Sequence, residues 1–170
     1  KLFFKEAIPI LEGIENEHQN YMGTIITLSN HSPFIFQDKY GEFDLSDTFV
    51  NSNGETVTTN YLSGTAVGNY LTSVHYADSA LGDFLTYINE SSAFDNTIFV
   101  FYGDHDAKLT RKELNYLYNY NKEDGSVYEE GNENYTQYDS FKHELNKKTP
   151  LIMWTKNSKL KNTLKGEVKY

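Results

Sequence analysis

Two short strings in this chain hold residue types that do chemistry. One is Asn30-His31; the other is Gly103-Asp104-His105-Asp106. Each follows a run of apolar residues that reads as a buried strand: residues 22–29 before the first, 97–102 before the second. Strands of a parallel sheet deliver their functional groups beyond their carboxyl ends. Two strands thus bring His and Asp-His to one sheet edge. A carboxylate beside an imidazole on a tight turn suits a divalent ion such as Mn²⁺, Mg²⁺ or Zn²⁺. The plainer reading of Asp104 is a turn residue capping the next helix beside a surface histidine. For His31 it is a histidine bonded within its own turn.

Other chemistries find no support. The chain has no Cys, so thiol nucleophiles, disulfides and zinc–thiolate sites are excluded. No Gly-x-Ser-x-Gly string marks a hydrolase elbow. Gly64, Gly68 and Gly82 do not form a phosphate-cradling loop after a strand. A formal charge of −9 argues against a nucleic-acid partner, which needs a basic face. His75 is expected to contact Asp78 along a helix. His18 falls in a polar linker and His143 in a charged helix, both away from any chemistry.

The positioning elements follow from periodicity. Phe3, Phe4, Ala7, Ile8, Leu11 and Ile14 space a helix over residues 3–14, with Pro9 inside it. Val67 through Ile88 form an unbroken apolar stripe, a long helix. Thr110-Arg111-Lys112-Glu113 is a capping box that opens another. Residues 150–154 read as a third strand. Residues 38–63 are polar and read as a loop with little regular structure, and the acid-rich residues 121–140 as a solvated excursion. From 142 onward eight Lys face two Glu, a solvated basic surface. The expected fold class is α/β, a mainly parallel sheet with helices on both faces. With 170 residues, no apolar run long enough to span a bilayer and no signal peptide, the chain reads as one domain or part of one. Its lack of an initiator Met points to a piece of something longer.

At these residues the chain resembles a known family. Ile25-Ile26-Thr27-Leu28-Ser29-Asn30-His31-Ser32-Pro33-Phe34 is similar to the ITLxNHxPF segment of lipoteichoic acid synthases. Tyr70-Leu71 through Asp78, with Ala80-Leu81, resembles the helix before their metal strand. Asp95-Asn96-Thr97 followed by Tyr102-Gly103-Asp104-His105 resembles a DNT…YGDH pattern shared more widely with sulfatases, and Pro150-Leu151-Ile152 a later PLI strand.

The resemblance implies an alkaline phosphatase/sulfatase-like fold, with residues 1–170 a truncated part of one catalytic domain. It implies transfer of glycerol phosphate from phosphatidylglycerol to a cell-envelope polymer through a covalent phospho-enzyme. Asp104 and His105 would ligate a divalent metal, usually Mn²⁺, with Mg²⁺, Ca²⁺ or Zn²⁺ as alternatives; His31 would contact the substrate. The partners would be an anionic phospholipid head group and a polyol-phosphate acceptor. The parent would be membrane-tethered, at the extracellular face of a bacterial cell membrane.

The family's threonine nucleophile has no match here. Thr24 and Thr27 lie in the expected first strand, so no catalytic nucleophile is assigned and the isolated chain is expected to be inactive. Asp106-Ala107-Lys108 also departs from the family's Tyr-Gly turn, and Lys165-Gly166-Glu167-Val168 approaches a final strand that does not follow. A truncated sheet is expected to expose an apolar edge and to self-associate. Two other readings stand beside this one: a sulfatase or phosphodiesterase that hydrolyses, and a non-catalytic α/β module.

Overall fold

The computed structural model describes residues 1–35, 37–139, 141 and 148–163. The chain divides into two compact units. The first holds residues 1–27, 77–104 and the described residues from 149; the second holds residues 28–76 and the described residues of 105–148. The elements in order are α1 (Leu2–Glu17), a short 3₁₀ turn (Gln37–Lys39), β1 (Asp47–Val50) and β2 (Thr56–Thr59). Then come α2 (Ala66–Glu90), a second 3₁₀ turn (Ser92–Phe94), β3 (Phe99–Tyr102), α3 (Arg111–Asn119), β4 (Leu151–Trp154) and α4 (Ser158–Thr163).

The first unit is built on burial of rings and aliphatic side chains. Ile8 of α1, Phe84 and Ile88 of α2, and Phe94 form its core, and Ile88 and Phe94 are fully buried. Phe4 stacks on Phe84 at 4.6 Å, and Phe99 of β3 meets Phe84 and Phe94 edge-on. The periodicity expected for α1 and the second half of α2 is the one that places these residues on one face each.

β3 and β4 pair in antiparallel register, Phe99 with Trp154 through Tyr102 with Leu151. This corrects the parallel arrangement expected for these strands. Two-faced apolar composition signals burial on both faces, a property common in parallel sheets, but it carries no direction. Only one face of the pair is covered. Phe99 and Phe101 turn to the core, while Val100 (46% exposed) and Tyr102 (63%) turn out with their partners Met153 and Leu151. Residues 22–29, expected as a first strand, form no strand; Met22, Ile26 and Leu28 are exposed. An apolar β-branched segment becomes a strand only when a neighbour takes its backbone hydrogen bonds.

The second unit departs from expectation at residues 38–63, which contain an antiparallel hairpin and not only loop. β1 pairs with β2 from Asp47 opposite Thr59 to Val50 opposite Thr56. Its turn is organised by Asn51, whose Oδ1 accepts from the N–H groups of Asn53 (3.0 Å) and Glu55 (2.8 Å), with Gly54 at φ 81°. β-Branched Thr and Val, with Phe49, carry the strands through a polar stretch. Thr65 caps α2, its Oγ1 accepting from Gly68 N–H at 3.0 Å. A Cβ on Gly68 would lie 2.0 Å from the Leu62 carbonyl oxygen, so only glycine lets the incoming chain approach.

α3 opens on the expected capping box. Thr110 Oγ1 accepts from Glu113 N–H (3.3 Å) and Glu113 Oε2 accepts from Thr110 N–H (2.5 Å). The acid-rich excursion after it is fastened more firmly than its charge suggests. Buried Asn119 donates to the Asn115 and Thr136 carbonyls and accepts from Thr136 N–H, and Asn115 Oδ1 accepts from Tyr138 N–H. Tyr138 is buried. The expected helix around His143 and the string Lys165–Val168 lie outside the described residues.

Two outcomes test this packing. Phe94→Ala should cost about 3–5 kcal/mol in urea denaturation, whereas Met22→Ala, at a 92%-exposed site, should stay within about 0.5 kcal/mol. The Asp124 carboxyl is held below its ordinary 3.8 by hydrogen bonds from the Ser126 side chain and backbone N–H. A folded value below the unfolded one contributes stability above pH 3.8 and loses it as pH falls through the folded value. NMR titration should therefore place Asp124 below 3.8 in the native chain, and Ser126→Ala should move it back up.

Candidate histidine site

His31 lies on the turn that follows residues 22–28. Its N–H donates to the Leu28 carbonyl at 3.1 Å, closing that turn. Its ring Nδ1 is 2.5 Å from the Ser32 carbonyl oxygen, and the Ser32–Pro33 peptide after it is cis. Phe34 is buried, with its ring 5.1 Å from Tyr70 of α2. The turn is thus anchored downstream by a buried ring and leaves the histidine exposed.

His105 enters the second unit directly after Asp104, which closes a segment of the first. Gly103 precedes both. Its N–H donates to the Pro150 carbonyl (3.2 Å), and a Cβ there would stand 2.9 Å from Thr149 Cβ. Glycine therefore lets β3 run close beside the start of β4 up to the last residue before the Asp-His pair. His105 Nδ1 is 2.7 Å from the Asp106 carbonyl oxygen. Asp106 Oδ2 accepts from Lys108 N–H at 3.3 Å, and Lys108 holds a positive φ of 53°.

The second unit brings the two imidazoles together. The His31 and His105 ring centroids are 6.0 Å apart and nearly perpendicular, at 84°. In both residues Nδ1 sits on the next residue's carbonyl, which makes Nδ1 the hydrogen-bearing nitrogen and leaves the lone pair on Nε2. A pair of imidazoles so oriented can donate to or accept from one small anionic group. The turn-bonded histidine is thus present at His31, and the same bond sets its tautomer. Asp104 does not cap α3; Thr110 does.

The carboxylate and imidazole of Asp104 and His105 fit a hard or borderline divalent ion by chemistry. Among the described residues, however, no group of three His, Asp or Glu side chains converges to hold an ion. Of the other histidines, His18 is the C-cap residue of α1, and His75 is stacked on Phe43 at 4.4 Å. That stack, and not the expected contact with Asp78, is what the structure gives His75. Sequence reading missed Tyr40, whose hydroxyl donates to the Ser29 carbonyl at 3.1 Å, two residues before His31. Its signal was an aromatic residue recurring at 34, 40 and 43 in a polar stretch, opposite aromatic residues at 70 and 76 on a helix.

The chain is similar to known proteins along these motifs. It is 34% identical over 105 residues to lipoteichoic acid synthase 2 of Bacillus subtilis, and 31% identical over 107 residues to lipoteichoic acid synthase 1 of that organism. It is 25% identical over 105 residues to the lipoteichoic acid synthase of Staphylococcus aureus. These matches cover 62–63% of this chain and 14% of each relative, so the chain spans about a seventh of their length. Among solved structures, the lipoteichoic acid synthase LtaP from Listeria monocytogenes is 35% identical, with a TM-score of 0.47, over 60% of this chain and 22% of that one. The Sulfatase family model matches residues 1–169, nearly the whole chain. This chain belongs to the sulfatase family.

Proposed function

We propose that this chain is part of the catalytic domain of a phosphoglycerol transferase that builds a cell-envelope polymer. The observation that carries the reading is the pair His31 and His105, one from each of the two family-like motifs, whose rings meet. The substrate class of this proposal is an anionic phospholipid head group as donor and a polyol-phosphate chain as acceptor, and the likeness to lipoteichoic acid synthases supports it. Among the described residues no helix is long and apolar enough to cross a membrane. In this reading the tether and the threonine nucleophile belong to other parts of the parent protein, at the outer face of the bacterial membrane.

His31 acts on the substrate. Its Nδ1–H is engaged by the Ser32 carbonyl, so Nε2 is the nitrogen that meets a phosphate or glycerol oxygen. A neutral Nε2 accepts a hydroxyl proton; a protonated one donates to an oxygen on which charge develops as a bond to phosphorus breaks. Asp104 and His105 are the metal ligands of this proposal, with Mn²⁺ the ion expected and Mg²⁺, Ca²⁺ or Zn²⁺ as alternatives. Such an ion offsets phosphate charge and lowers the pKa of a bound hydroxyl. Two ligands leave most of a coordination shell to water, so the isolated chain holds the ion weakly.

The sulfatase family match favours a second reading, hydrolysis of a sulfate or phosphate ester. The two readings differ in what accepts the cleaved group, a polyol chain or water. The outward apolar side chains of β3 and β4 give the isolated chain a face by which it self-associates.

Titration calorimetry of the isolated chain with Mn²⁺ should show dissociation constants no tighter than about 100 μM, and a phosphoglycerol-release assay should show no turnover above background. Submicromolar binding or turnover overturns the assignment of the nucleophile to other residues. In the parent protein, His31→Ala should lower transfer from phosphatidylglycerol about 10²–10⁴-fold while circular dichroism stays unchanged. Release of free glycerol phosphate with no polymer product supports the hydrolytic reading instead.

A further inference from the structure

Phe34, Tyr40 and Phe43 meet the first half of α2 through three ring pairs within the second unit. Phe34 lies against Tyr70, Tyr40 stacks on Tyr76 (4.6 Å, 22°), and Phe43 stacks on His75 (4.4 Å, 16°). The middle pair has an additional connection. The Tyr40 hydroxyl donates to the Ser29 carbonyl at 3.1 Å. Ser29 lies inside the Leu28–His31 turn, which His31 N–H closes onto the Leu28 carbonyl. A planar peptide transmits orientation, so holding the Ser29 carbonyl constrains the backbone on which His31 is mounted.

We propose that Tyr40 is a positioning residue for His31. Its ring, held on Tyr76, fixes the phenol to the helix, and its hydroxyl holds the turn so that the His31 ring faces His105. The inference deepens the reading of His31 as a substrate contact and rests on it. The physical reason lies in what else holds this turn. Asn30 and His31 are exposed, and the His31 Nδ1 contact reaches only the next residue, so it travels with the turn and does not fix it in space. Phe34 anchors the chain three residues downstream. The Tyr40 hydroxyl supplies the tie on the upstream side. Without it the Ser29 carbonyl bonds to water at little cost, and the turn is free to reorient.

The test uses the whole 170-residue chain with ¹⁵N and ¹³C labels. Tyr40→Phe keeps the ring stack and removes only the hydroxyl. Amide exchange at His31 should speed up about fivefold, the loss expected for one hydrogen bond. The nuclear Overhauser cross-peak between the His31 and His105 ring protons should fall by half or more. Exchange at Leu114, bonded to Thr110 in α3, should not change. Tyr116→Phe is the control. It removes a similar hydroxyl bond, to the Tyr61 carbonyl at 3.2 Å, and should leave His31 untouched. Tyr76→Leu, which removes the stacking partner, should reproduce the Tyr40→Phe effect at His31. Unchanged exchange and cross-peak in Tyr40→Phe overturn the proposal. So does a parallel rise in exchange at Leu114, because Tyr40 then supports the fold at large and not the turn. In the parent protein, if Tyr40→Phe moves the His31 signals while His31→Ala leaves transfer intact, positioning stands and the proposed function fails.

Discussion

Burial of the apolar stripe along α2 is the constraint on which the other elements depend. The helix runs 25 residues, from Ala66 to Glu90. Its later turns carry Ala80, Phe84 and Ile88 into the core of one unit. Its earlier turns carry Val67, Thr72 and Ser73 into the interior of the other. A helix with this much apolar surface is stable only when that surface is covered. In the first unit α1, Phe94 and the inner side of β3 provide the cover. In the second, Tyr70, His75 and Tyr76 take the rings of Phe34, Phe43 and Tyr40.

Two glycines mark where that packing leaves no room for a side chain. At Gly68 the chain entering α2 passes so close that a Cβ would overlap the Leu62 carbonyl. At Gly103 β3 runs against Thr149 just before Asp104. The first is an approach of backbone and the second of the Thr149 side chain, and neither depends on a special dihedral angle, since the positive-φ glycines lie elsewhere. Close approach at Gly103 sets where the Asp-His pair leaves the strand, and the cap at Thr65 with Gly68 sets where α2 begins. The polar network of Asn115 and Asn119 does comparable work for the acidic segment, replacing apolar contact with four hydrogen bonds to residues 115–138. Buried amides with all their bonds made stabilise such a loop, whereas one left unpaired would cost more than it contributes.

The histidine pair is held with little side-chain burial. Both rings are exposed, and each is oriented by the carbonyl of the following residue. That local bond chooses the tautomer. The tie from Tyr40 to Ser29 is of another kind, because it links the turn to a helix. Local bonds orient a ring, and longer-range ones place it.

Much of the secondary structure was legible in the sequence. The periodicity of Phe3 to Ile14 and of Val67 to Ile88 announced α1 and α2, because a 3.6-residue repeat of apolar side chains has one compact solution. The Thr110–Glu113 box announced α3, because its two hydrogen bonds close within four residues. His31 and His105 stood out because they follow apolar runs at turns, and the motifs around them pointed to the sulfatase family that the whole chain matches. What the sequence left open is whatever depends on a distant partner. Strand direction is one case: Val100 and Ile152 read the same in parallel and antiparallel pairs, so the register of β3 with β4 appears only in three dimensions. Residues 22–28 have strand composition and no strand, and residues 47–59 have polar composition and a hairpin, because pairing is settled by the neighbour that takes the backbone hydrogen bonds. The meeting of His31 with His105, 74 positions apart in the chain, and the hold of Tyr40 on Ser29 are likewise decided by tertiary packing. Composition determines which side chains seek burial or a charge; only the folded chain decides which of them meet.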